Sequence, residues 1–112
     1  MPIPADSSDP AQAALPKPPL FPTGQIVATP GALDLLQRHG LTPWPFIARH
    51  VEGDWGDLDA EDAALNRAAV TDGSRILSAY VVEGTRLWVI TDAVHDDDGN
   101  RASTCLLLPE EY

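Results

Sequence analysis

The stretch DAEDAALNRAAVTDGSRILSAYVVEGTRLWVIT, residues 59–91, carries the change of period that decides the fold. In its first half Asp59 stands at a helix N-cap position and Asp62 at the matching capping-box position. The acids at 59, 61 and 62 suit the positive end of a helix dipole. Ala60, Ala64 and Ala68 follow one ridge with Leu65, Ala69 and Val70 near it, so the spacing predicts a helix that packs closely on its neighbour. Gly73 ends the helical pattern. Beyond it the apolar period becomes 2. Residues 75–82 read as a strand, Glu83-Gly84-Thr85 as a hairpin turn and 86–91 as the returning strand.

Working outward toward the N-terminus, Thr29-Pro30 and Thr42-Pro43 each present an N-cap oxygen followed by proline at the first helical position. The first predicts a helix to His39, with Leu33 and Leu36 on one face, an Asp34–Arg38 pair and a stop at Gly40. The second predicts a short helix over 43–51, with Phe46 and His50 on one face and Ile47 and Val51 beside it. Toward the C-terminus, 93–101 is a polar loop and 103–108 a third strand, broken by Pro109. The expected fold class is α+β: three N-terminal helices packed on a three-stranded antiparallel β-meander.

Seven of the eleven prolines fall before Thr23, so residues 1–22 read as a disordered Pro-rich arm and 23–112 as a single small α+β domain. A domain of about 90 residues buries only roughly 60% of its unfolded surface, which makes Trp44, Phe46, Trp55, Tyr80 and Trp88 core candidates first. The arm lacks the basic start and apolar run of a secretory signal, and no stretch reaches the apolar length of a membrane span. One cysteine, Cys105, allows no internal disulfide and reads as a small buried strand residue. The expectation is a cytoplasmic protein with no cofactor. A formal charge of −10 disfavours direct binding to nucleic acid or an anionic membrane and favours basic partners.

That charge is concentrated. Residues 51–72 hold seven acids against one base, and 93–112 hold five against one. Six carboxylates fall within 52–62, around a tryptophan flanked by glycines: EGDWGDLDAED. Together the segments GQIVATPGALDLL, FIARHVEGDWGDLDAEDAALN, GSRILSAY, LWVITDA and LLLPEEY resemble a group of small uncharacterised bacterial proteins of plasmids and mobile elements. These are labelled "plasmid-related protein" or "type I restriction endonuclease subunit M". The resemblance covers residues 24–112 and centres on H-V-x-G-D-W-G-D-L. It implies a mobile-element setting and no methyltransferase activity, since the glycine-rich cofactor loop and catalytic tetrad of such enzymes are absent.

Several readings of the acidic segment stay open. As a face for a basic protein surface, its residues are Glu52, Asp54, Trp55, Asp57, Asp59 and Asp62, with the Trp55 indole either an anchor rimmed by acids or a plug folded into the core. The partner would be a nucleic-acid enzyme or regulator. In a sharper form, carboxylates one helical turn apart would imitate DNA phosphates, making the chain a DNA-mimic inhibitor of a host nucleic-acid enzyme. As an enzyme, His50 would be the base with Asp54 or Asp57 orienting it. As a metal site, Asp59, Asp62 and Asn66, at i, i+3 and i+7, would supply oxygen ligands. The plainest account is helix capping by Asp59 and Asp62. The loop HDDDGN lacks the alternating ligands and closing glutamate of a calcium loop and reads as a charged hairpin loop.

Overall fold

A computed structural model of the protein describes residues 18–112. The chain forms strand β1 (Gln25–Ala28), helices α1 (Pro30–Arg38), α2 (Trp44–Val51) and α3 (Ala60–Asp72), and strands β2 (Ile76–Val82), β3 (Thr85–Thr91) and β4 (Ser103–Leu107). A 3₁₀ turn over Pro109–Glu111 follows. The expected arm over residues 1–22 falls outside the described residues as far as Lys17. From Pro18 on the chain is part of the domain: Leu20 N–H donates to the Val51 carbonyl at 2.8 Å, and Phe21 is buried.

The sheet corrects the expected three-stranded antiparallel meander. Four strands form a mixed sheet in the order β1-β4-β3-β2, with β1 parallel to β4 and the other pairings antiparallel. The helices therefore do not open the domain, because β1 precedes them. QIVA is too short to display a convincing alternation, and its pairing of Gln25 with Ser103 is a long-range choice that no local pattern encodes. The hairpin is where the period predicts it. Glu83 and Gly84 both adopt positive φ (47° and 83°), the two-residue turn whose twist matches the flanking strands.

One sheet face carries the core. Ile76, Tyr80 and Val82 of β2, Leu87 and Val89 of β3 and Leu106 of β4 meet Ala32, Leu35 and Leu36 of α1, Phe46, Ile47 and Val51 of α2, and Ala69 of α3. Thr29 caps α1 as expected, accepting from Ala32 N–H at 3.2 Å. Its buried stripe runs through Leu35 and Leu36, whereas Leu33 stays exposed. At α2 the Thr42 cap does not form: Pro43 occupies the cap position with no side-chain bond, and the helix begins at Trp44. Trp44 itself faces solvent at 46% exposure, against the expectation of a core residue.

Helix α3 forms as predicted, with Asp59 accepting from Asp62 N–H at 2.8 Å and Gly73 closing it in the left-handed conformation. Its orientation differs. Ala60, Ala64 and Ala68 are exposed, as is Leu65 at 63%, while Asn66 and Ala69 face the sheet. The reason is a polar contact that periodicity does not weigh, and it belongs to the site.

Candidate functional site

The acidic segment lies along the outer edge of β2 and closes it. Ala79 N–H donates to the Trp55 carbonyl at 3.0 Å, and Asp57 N–H donates to the Ala79 carbonyl at 2.6 Å, so residues 55–57 run as a short parallel bridge to the strand. Gly56 makes this approach possible. Its φ is +75°, and a Cβ there would collide with the Ala79 carbonyl oxygen. One step along the strand, Asn66 imitates a strand partner: its Nδ2 donates to the Leu77 carbonyl at 2.6 Å and its Oδ1 accepts from Leu77 N–H at 3.2 Å. An edge strand with unpaired peptide groups invites association, and here side chain and loop satisfy the outward-facing groups of Leu77 and Ala79.

Trp55 is folded inward, 6% exposed, stacked near Phe21 and edge-on to His50. It is thus a core plug rather than a surface anchor. Glycines at 53 and 56, both with positive φ, give the turns that send the indole down while neighbouring carboxylates stay out. Asp54 accepts from Arg49 Nε at 2.7 Å and from Gly56 N–H at 3.2 Å; the Arg49 bond chiefly holds its carboxyl below the usual carboxylate range. Arg49 also stacks over the Tyr80 ring, whose hydroxyl donates to the Asp54 carbonyl at 2.7 Å. Asp57 pairs with Arg86 at 3.1 Å across exposed surface. Asp59 is the α3 cap. Glu52, Glu61 and Asp62 take part in no ion pair among the described residues.

His50 is separated from all these carboxylates. It is fully buried on the helix side of the sheet, with Nδ1 2.6 Å from Ser78 Oγ and Nε2 2.9 Å from Thr91 Oγ1. The hydroxyls form a relay whose direction is determined by its far end. Thr104 Oγ1 donates to the Thr23 carbonyl at 2.8 Å, so it accepts from Thr91 Oγ1 at 2.6 Å. Thr91 then accepts from His50 Nε2–H, and Nδ1 accepts from Ser78. This is the neutral imidazole with both nitrogens satisfied. Burial, aided by the nearby Arg101 charge, pushes the imidazole down to about 3.

Sequence reasoning missed this relay, although its signal was present. Ser78, Thr91 and Thr104 are hydroxyl residues at inward positions of three adjoining strands, where the alternation calls for apolar side chains. It also missed Arg101, which is buried and donates to three carbonyls: Ser74 and Asp92 through Nη1 at 2.7 and 3.1 Å, and Ala69 through Nη2 at 3.0 Å. Ala69 lies in the last turn of α3, so the cation also meets the negative end of that helix dipole.

The structure therefore brings Asp54, Asp57 and the α3 cap together along the β2 edge and keeps His50 apart from them. Asn66 is committed to Leu77, so it does not join Asp59 and Asp62 on one open face. Among the described residues no group of three or more His, Cys, Asp or Glu side chains is placed to hold a metal ion. In the loop 95–100, Asp96 accepts from the Asp98 and Asn100 backbone N–H groups and from Asn100 Nδ2, a self-contained turn. Cys105 is half-buried, and burial chiefly raises its thiol. Among the described residues no helix is long and apolar enough to cross a membrane. The chain matches no protein-family model, no curated protein and no solved structure.

Proposed function

We propose that this chain is a non-enzymatic, cytoplasmic interaction module whose carboxylates over residues 52–62 engage a basic protein surface. One observation carries the reading. Among the described residues Glu52, Glu61 and Asp62 take part in no ion pair, while His50, the group an acid–base reaction would need, is enclosed by hydroxyls and held neutral. Charges free of internal partners are available to a partner without first breaking a bond of the fold. The sequence resemblance to proteins of mobile elements supports a nucleic-acid enzyme or regulator as that partner.

The test is affinity capture from host lysate with the wild type and a Glu52→Gln, Glu61→Gln, Asp62→Asn variant, both shown folded by circular dichroism. These positions are chosen because the Asp54, Asp57 and Asp59 carboxylates already bond Arg49, Arg86 and the Asp62 N–H. A partner retained by the wild type, lost by the variant and released as salt rises supports the reading. Equal capture by both proteins, or capture indifferent to salt, sinks it. A partner whose capture competes with duplex DNA would turn the reading toward DNA mimicry.

A further inference from the structure

We infer that the outer edge of β1 is a docking site for an extended, basic peptide segment of a partner protein. The segment adds to the sheet as a fifth strand and places one apolar side chain in the cavity between β1 and α2. The place of the site follows from the sheet's own hydrogen bonds; the charge of its occupant rests on the acidic-module reading above.

The two edges of the sheet are treated differently. On β2 the outward peptide groups of Leu77 and Ala79 are occupied by Asn66 and by residues 55–57. On β1, Gln25 N–H donates to the Ala102 carbonyl at 3.1 Å and Thr29 N–H to the Leu106 carbonyl at 3.0 Å. These bonds turn the odd-numbered residues toward β4. Ile26 and Ala28 therefore aim their N–H and C=O groups outward, and nothing among the described residues bonds them. A row of free peptide groups selects an extended backbone, the mode of β-strand addition.

Beside that row, on the helix side, lies a cavity of about 200 Å³ lined by Pro19, Thr23, Ile26, Trp44 and Ile47. A strand laid along β1 points alternate side chains the same way as Ile26, into this space. Exposed Trp44 forms part of its wall, and the exposed side chain of Leu20, next to the cavity residue Pro19, extends the apolar surface nearby. No charged residue lines the cavity, and the acidic residues that adjoin it are Glu52 and Glu111. Glu52 follows Val51, which also lines the cavity, and Glu111 accepts from Thr29 Oγ1 and Gly31 N–H just beyond the end of β1. An apolar residue flanked by lysine or arginine complements this arrangement. A second copy, carrying the same formal −10, is repelled.

The experiment is an NMR titration of the full chain with the synthetic peptide Lys-Arg-Val-Leu-Val-Arg-Lys, capped at both ends, and with its counterpart flanked by glutamates. Binding of the basic peptide is expected to shift and protect the Ile26 and Ala28 amides and to move the Trp44 indole signal. Ala28→Pro removes an outward N–H that bonds nothing among the described residues, and is expected to weaken binding at least tenfold. Val81→Pro, a proline on the opposite edge strand, leaves it unchanged. Circular dichroism establishes that both variants are folded.

Absence of binding at millimolar peptide, or equal affinity in Ala28→Pro, overturns the inference. Shifts confined to residues 52–62 overturn it too, while leaving the acidic-module reading intact. Equal binding of the glutamate-flanked peptide at β1 overturns the basic occupant and counts against that reading as well. Slow exchange of the Ile26 and Ala28 amides in the free protein, or a dimer abolished by Ala28→Pro, overturns it by showing the edge already filled.

Discussion

The His50 ring is enclosed on the helix side of the sheet and bonds none of the six carboxylates of residues 52–62. Among the described residues the His50 ring bonds only to hydroxyls, and its environment favours the neutral ring so strongly that its pKa falls to about 3. The consequence for stability has a definite sign. The folded-state value lies below the unfolded value, so the stability contributed by the neutral ring is fully present above about pH 6.5 and drains away as pH falls toward 3. Between pH 7 and pH 5 the loss is about 2 kcal/mol. Carboxylates with lowered values, such as Asp54, lose their contribution only at more acid pH, so this window isolates the histidine. Urea unfolding at the two pH values is expected to show that loss in the wild type and a nearly flat profile in His50→Gln. A wild type equally stable at pH 5 and 7 would refute the enclosed neutral ring.

At the scale of the element, α3 shows a polar contact deciding which way a helix faces. Its alanine ridge and Leu65 form the more apolar stripe, yet the helix turns Asn66 and Ala69 to the sheet. Each unpaired buried peptide group costs about 1–3 kcal/mol, and Asn66 satisfies two of them at Leu77. Burying one more leucine is worth a similar amount, so neither term dominates on size alone. The polar term wins because the β2 edge has no other partner at that position. Asn66→Ala is expected to cost about 2–3 kcal/mol, whereas Leu65→Ala at an exposed position costs under about 0.5 kcal/mol. Thermal unfolding of the two variants checks the orientation directly: a larger loss at Leu65 would mean the helix is rotated.

Over the whole molecule, Arg101 and Phe21 join parts that are distant in sequence. Arg101 binds carbonyls from the end of α3, the start of the hairpin and its far end, and its guanidinium lies 5.6 Å from the Phe21 ring. Among the described residues no carboxylate pairs with this buried cation, and three carbonyls with a helix C-terminus supply the compensation. Arg101→Met keeps the packing and removes the donors. It is expected to destabilise the protein by about 3 kcal/mol, read as a lower urea midpoint with an unchanged slope. An unaltered midpoint would show that water replaces the donors without penalty.

Local chemistry was sufficient for most of the elements. The Thr29 cap, the Asp59 cap with its Gly73 stop, the Glu83-Gly84 hairpin and the break at Pro109 each depend on residues within a few positions of one another, so the sequence alone determined them. The flanking glycines permit either direction for the Trp55 indole, and its inward turn against Phe21 and His50 is a tertiary outcome. What only the tertiary structure decided is long-range. Parallel pairing of β1 with β4, the commitment of Phe21 to the core, and the sealing of β2 by Asn66 and the acidic loop all join residues far apart in the chain. So does the separation of His50 from its carboxylates. These depend on which peptide groups remain unpaired once the sheet has formed, a quantity that exists only in three dimensions.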